Sequence, residues 1–154
     1  MINAMLPEQV AKFWDVIKYG IEQSLPPISG EHPDKMNSIL SSLMSGRLIC
    51  WAAYYIDGEQ RVFEGIMVTT ITYDMVSDTR SLLIYCLFGY GQITDQTWLD
   101  GLRALTKYGK SKGCTTVSAY TDLDHMVKMT KSLGGSSDWH YCTFDVDNLI
   151  DTLK

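Results

Sequence analysis

The chain has 154 residues, with 13 Lys and Arg against 18 Asp and Glu, for a formal charge of −5. It is 45% hydrophobic and 20% charged, with 12 Gly and only 4 Pro; this excludes disordered, collagen-like and coiled-coil chains and leaves ample material for a packed core. No apolar run approaches the ~18–20 residues that span a bilayer, the opening MINAMLPEQVAKFWD has no secretory pattern, and the acidic balance opposes general nucleic-acid binding, which depends on neutralising phosphates.

The first predicted element is an amphipathic helix over Pro7–Ser24. Pro7 suits a first helical turn, Glu8 favours the positive helix end, and Val10, Phe13, Trp14, Ile17 and Ile21 share one face. Pro26-Pro27 ends it, because a proline lacks the N–H that a helix interior needs. A shorter helix is expected over Pro33–Ser45, with Met36, Ile39, Leu40 and Leu43 inward and Gly46 as its stop.

The period then changes. Leu48–Ile56 (LICWAAYYI) is apolar on both faces, as suits a strand covered on both sides. Asp57-Gly58 signals a hairpin into a returning strand over Arg61–Asp74. After a polar turn, Ser81–Phe88 (SLLIYCLF) reads as the third and most buried strand of an antiparallel meander.

The last third alternates helix and strand. Asp95–Lys112 carries the stripe Trp98, Leu102 and Leu105, with Thr94 or Asp95 as cap and Gly113 as stop. Thr115–Tyr120 is a predicted strand, Asp122–Leu133 a short helix, and Trp139–Val146 (WHYCTFDV) an alternating final strand before DNLIDTLK, a helical turn or tail. The expected architecture is one α/β (α+β) domain over residues 1–154, with a mixed, mostly antiparallel sheet, helices on both faces and the order α-α-β-β-β-α-β-α-β.

Cys50, Cys86, Cys114 and Cys142 are widely spaced and form no CxxC, so they read as buried free thiols in a reducing, cytoplasmic setting, with no metal site. His140 and Cys142 share a strand face without a group to activate the thiol, and His32 and His125 lie far from them in sequence. Arg103, Lys107 and Lys110 recur at helical spacing, where cations suit a solvated helix C-terminus. Trp51, Tyr54, Tyr55, Tyr85, Phe88 and Tyr90 offer aromatic surface for a sheet core or a base-stacking platform, the latter without a basic groove. The aromatic and Met content also suits a protein–protein surface.

This order of elements resembles the GNAT fold, the Gcn5-related N-acetyltransferase superfamily, over nearly the whole chain. TDLDHMVKMTKSLGG, with Asp122 as cap and a Leu133-Gly134 ending, is similar to the family's penultimate helix. The resemblance places the coenzyme A loop at Phe88–Trp98 (FGYGQITDQTW). In the family this stretch is rich in Gly and Arg, because glycines, backbone N–H groups and a helix N-terminus together receive the pyrophosphate. Here Gly89 and Gly91 remain, no Lys or Arg lies between Arg80 and Arg103, and Asp95 opens the helix beside the bulky Trp98. The family's frequent general-acid Tyr falls at about Thr130.

The leading expectation is therefore a GNAT-like domain without a working coenzyme site, with no cofactor, that binds a protein partner or its own copies as a homo-oligomer. The architecture resembles that of degenerate GNAT-like proteins of tailed phages, which implies a role in virion assembly, in the host cytoplasm or virion. The alternative is an acetyl-CoA-dependent N-acetyltransferase with an atypical site. The resemblance then implies Leu87, Phe88 and Tyr90 at the pantetheine arm through their backbone, Gly89 and Gly91 at the phosphate turn, and Glu64 or Tyr85 as acid or base.

Overall fold

A computed structural model describes Met1–Lys154. By internal contacts the chain forms two compact units, one of Met1–Pro26 with Glu31–Tyr120, the other of Pro27–Gly30 with Thr121–Lys154.

The first unit holds a five-stranded sheet in the order β1-β2-β3-β4-β5. Strand β1 (Ile2–Ala4) precedes α1 (Pro7–Lys12), α2 (Trp14–Ser24) and α3 (Lys35–Met44). Strands β2 (Ile49–Asp57), β3 (Gln60–Asp74) and β4 (Thr79–Gly89) form the meander, and α4 (Asp95–Ser111) crosses to β5 (Cys114–Ala119). All neighbours are antiparallel except β4 and β5. The expected mixed α+β sheet is thus present, with one strand added at its start.

The continuous apolar run of β2 has a structural cause, for its pleat feeds two cores. Cys50, Ala52 and Tyr54 face Val10, Ile17 and Ile21 of the first helices, with Ile66, Val68 and Cys86 of the sheet. Trp51 faces the other way, with Met67, Leu82, Ile84 and Leu105 of α4. Helices therefore cover both faces of the sheet in this unit. Gly58 has φ 61°, and Asp57 pairs with Gln60, so the Asp57-Gly58 signal does close a two-residue hairpin.

Two expectations about the elements are corrected. The first helix is not continuous: Phe13 leaves helical geometry at φ −106° and ψ 21°, and its ring packs edge-on against Phe63 at 5.2 Å. The apolar face survives the break because Phe13 N–H still donates to the Gln9 carbonyl and Ile17 N–H to that of Phe13.

The final strand does not form. The second unit contains α5 (Asp124–Ser132) and α6 (Val146–Thr152), and Trp139–Asp145 between them joins no sheet. Asp145 instead caps α6, its Oδ1 accepting from Asn148 N–H at 2.9 Å. Trp139 is 94% exposed and Phe144 74%.

The thiols divide correspondingly. Cys50 and Cys86 are buried, Cys114 is half-buried, and Cys142, expected inside, is exposed. His140 and Cys142 lie outside any strand, so the strand face they were to share is absent.

Candidate functional site: the open edge of β4

Strand β4 outruns its partner. Pairing with β5 runs from Arg80↔Cys114 to Ile84↔Ala119 and stops, while β4 continues through Tyr85 to Gly89. The divergence begins at an irregularity on the other side: Cys86 pairs with Val68 and Ile84 with Thr69, so Tyr85 is an extra residue bulged from the β3 ladder. A second bulge lies in β3, where Ala53 pairs with Gly65 and Tyr54 with Phe63, leaving Glu64 over.

The register decides which backbone groups face the opening. Tyr90 N–H donates to the Glu64 carbonyl at 2.9 Å. In an antiparallel ladder, alternate residues turn their N–H and C=O to the same side. Tyr90, Phe88 and Cys86 therefore address β3, while Gly89 and Leu87 turn theirs to the side that β5 has vacated. Of Leu87, Phe88 and Tyr90, only Leu87 turns its backbone groups to that unpaired side, and Gly89 joins it.

The side chains anchor this edge to both cores. Leu87 packs into the α4-side core and Phe88 into the opposite one. Phe88 stands edge-on to Tyr90 at 5.0 Å and to Tyr19 at 5.7 Å. The Tyr90 hydroxyl donates to the Val16 carbonyl at 2.7 Å. Burial pushes its titration upward, with the neighbouring Cys50 and Cys86 adding to the shift.

The turn after β4 is held by Ile93, a residue that carries no motif. A Cβ on Gly65 would stand 2.7 Å from Ile93 Cδ1, and one on Gly89 would stand 3.0 Å from the same atom. Gly65 is the stricter of the two, because a Cβ there would also stand 2.9 Å from the Phe88 carbonyl oxygen, which cannot rotate away. Gly91 differs, for a Cβ there meets nothing within 4 Å. Thr94 caps α4 by accepting from Thr97 N–H at 3.2 Å, and Asp95 lies in the first turn. Trp98 points under the helix, lining with Ile2, Trp51, Met67 and Gly101 a cavity of about 20 Å³. That space holds about one water, so α4 is seated on the sheet and no ligand fits beneath it.

The acid/base candidates are not brought together. Glu64 and Tyr85 are both half-buried, and neither side chain is hydrogen-bonded within the protein. Tyr85 lies opposite the Val68–Thr69 step, whereas Glu64 lies opposite Tyr90. At ~3.3 Å per residue the two stand roughly 15 Å apart along the strands, too far to serve one reacting centre. Thr130, on α5, donates its hydroxyl to the Met126 carbonyl at 2.8 Å.

The other expected features lie away from this edge. Arg103 pairs with Asp100 at 2.8 Å, and Lys107 and Lys110 are exposed on α4. Trp51 and Tyr54 face opposite sides of the sheet, so no continuous base-stacking platform exists. No group of three His, Cys, Asp or Glu could hold a metal ion, and no helix is long and apolar enough to cross a membrane.

The same architecture recurs across nearly the full length of solved acetyltransferases. An aminoglycoside acetyltransferase from an uncultured soil metagenomic sample superposes with a TM-score of 0.67 at 15% identity, covering 95% of this chain and 97% of its own. The fold is that of the GNAT acetyltransferases. The ribosomal-protein-alanine N-acetyltransferase from Brucella melitensis biovar Abortus 2308 gives 0.64 at 10% identity, covering 94% and 99%. The aminoglycoside acetyltransferase AAC(6')-Iy, bound to the bisubstrate analogue CoA-S-monomethyl-acetylneamine, gives 0.66 at 17% identity, covering 94% and 96%. No protein-family model matches the GNAT-fold chain. No curated protein matches it in sequence.

Proposed function

We propose that the chain is an acyl-CoA-dependent N-acyltransferase, the acyl donor lying along the open edge of β4. The observation that carries this reading is the early end of β4–β5 pairing, which leaves the Leu87 and Gly89 backbone groups without a strand partner on that side. An arm with two amides is the kind of ligand that such an edge binds, as an added strand. One solved protein of this fold, AAC(6')-Iy, has been captured both with CoA and with a CoA bisubstrate analogue.

Acyl-CoA supplies an acyl group activated as a thioester. Leu87 and Gly89 would hold the arm by backbone hydrogen bonds, and the Gly89–Thr94 turn would receive the phosphates through backbone N–H groups alone. With the phosphates at that turn, the acyl end falls back along β4 toward the bulge. Tyr85 is there: as the amine nitrogen bonded to the thioester carbon and the C–S bond broke, its hydroxyl would give a proton to the departing sulfur, and the proton lost by the amine would restore the hydroxyl. Glu64, opposite Tyr90, is at the phosphate end and takes no part in proton transfer.

A second reading is favoured by one observation, the absence of any Lys or Arg between Arg80 and Arg103. With Asp95 in the first turn of α4, this stretch brings no Lys or Arg of its own to meet the phosphates. On that reading the domain binds another protein, as in a virion or assembly factor, and holds no coenzyme.

Release of free thiol from acetyl-CoA, followed with a panel of small amines and peptide N-termini, tests the enzyme reading. An amine-dependent rate that falls about 10²-fold or more in Tyr85→Phe and is little changed in Glu64→Gln supports it. Thiol release that never exceeds the protein-free rate refutes it.

A further inference from the structure

Away from the β4 edge, Arg61 lies in an unusual setting. Its guanidinium carbon stands 4.4 Å from the centroid of the Tyr54 ring and 5.8 Å from that of Phe13. The residue is half-buried, yet it has no ion pair, and its guanidinium donates no hydrogen bond to the protein. A guanidinium laid on aromatic faces keeps its N–H edge free for a planar acceptor such as a carboxylate. Lys12, the last residue of α1, also has its ammonium 5.3 Å from the Phe13 ring and no carboxylate partner.

Two open cavities meet at Arg61. One, of about 330 Å³, is lined by Asn3, Leu6, Gln9, Tyr54 and Arg61 among others. The other, of about 500 Å³, is lined by Gln9, Lys12, Phe13, Ile56, Glu59 and Arg61 among others. Each is within the ~300–1,000 Å³ typical of ligand sites, and together they make a groove between α1 and the β2–β3 hairpin. Asn3 and Ala4 of β1 border it, and β1 is the terminal strand of the sheet, so its outer backbone can accept an extended chain. Glu59 is the one carboxylate among the lining residues.

We propose that this groove binds an acidic peptide, one carboxylate engaging the fork of Arg61 and a second meeting Lys12. The charge on the groove is opposite to that of the chain as a whole, which is −5, so it is a local feature rather than a consequence of composition. The site needs no coenzyme, and it stands whether or not the β4 edge binds one.

Calorimetric titration of the intact chain with tetraglutamate, against tetraglutamine as the uncharged control, tests the proposal. Saturable binding of tetraglutamate alone is expected, weakening as salt rises. Arg61→Gln should weaken it at least tenfold and Lys12→Gln about threefold, while Glu59→Gln should tighten it. Lys12 is exposed, so its variant keeps the test decisive even if Arg61→Gln perturbs folding, which a melting curve would show. No saturation at millimolar tetraglutamate, equal binding of tetraglutamine, or affinities unchanged in folded Arg61→Gln and Lys12→Gln would overturn the proposal.

Discussion

The hydroxyl of Tyr90 donates to the carbonyl oxygen of Val16 at 2.7 Å, tying the turn after β4 to the first turn of α2. The approach is possible because Gly20 faces it: a Cβ on Gly20 would stand 2.7 Å from that hydroxyl and 2.9 Å from Ile66 Cδ1. Coupling between these positions follows. Tyr90→Phe should cost about 1 kcal/mol, the usual net value of one hydrogen bond. Gly20→Ala gains about 1 kcal/mol of helix propensity but loses ~1–3 kcal/mol to overpacking, and should be destabilising on balance. The double variant should lose less stability than the two single variants added together, since removing the hydroxyl removes one clash. Urea unfolding of all four proteins measures this, and strict additivity would show that the contact does not exist in solution.

Trp51 and Thr69 form a polar pair inside the sheet, the indole N–H donating to Thr69 Oγ1 at 3.0 Å. Thr69 is only 1% exposed, so water cannot replace it. Thr69→Val keeps the shape and orphans the indole, and should cost about 1–3 kcal/mol. A cost below about 0.5 kcal/mol in denaturant unfolding would contradict this, since that is the scale of an ordinary surface substitution.

The two buried thiols set an alkaline limit. Burial, and then the neighbouring Cys86, pushes Cys50 from 9.0 up to about 12. Burial pushes Cys86 from 9.0 up to about 11, against hydrogen bonds that pull it down. Both raised values favour the protonated folded form, so their stabilisation is complete below about pH 9 and is lost as pH rises through 11 to 12. Each thiol should add about 1.4 kcal/mol per pH unit to the loss in that window. Stability measured at intervals from pH 8 to 11 should fall less steeply in the Cys50→Ala, Cys86→Ala double variant. Parallel slopes would mean that the thiols are solvated in the folded protein.

Much of this fold is legible in the chain, because it is written in local periods. The two-faced run at Trp51 and Tyr54, the Asp57-Gly58 turn and the stripe through Leu105 each predict an element that forms. What is not legible depends on partners. Ile2–Ala4 has no pattern of its own and becomes a strand only by register with Ala53, Ala52 and Trp51. Trp139–Val146 has the pattern but no ladder, since alternation specifies faces and not a neighbour. The candidate site is legible only in part. Gly89 and Gly91 mark the turn, but the bulges at Glu64 and Tyr85 are relations between strands and leave no trace in either one. Ile93, which locks the turn over Gly65, is an ordinary apolar residue with no motif to mark it.

Coenzyme binding at the β4 edge is most directly measured by titrating acetyl-CoA into the chain and into Gly91→Asp. A side chain at Gly91 meets open space, so the variant should melt with the parent while placing a carboxylate where the phosphates would lie. Saturable binding by the parent is expected, with a stabilisation of about 2.7 kcal/mol at a hundredfold excess over Kd, and Gly91→Asp should lose it. No binding at millimolar acetyl-CoA, or equal binding by both proteins, would contradict a coenzyme site at this edge.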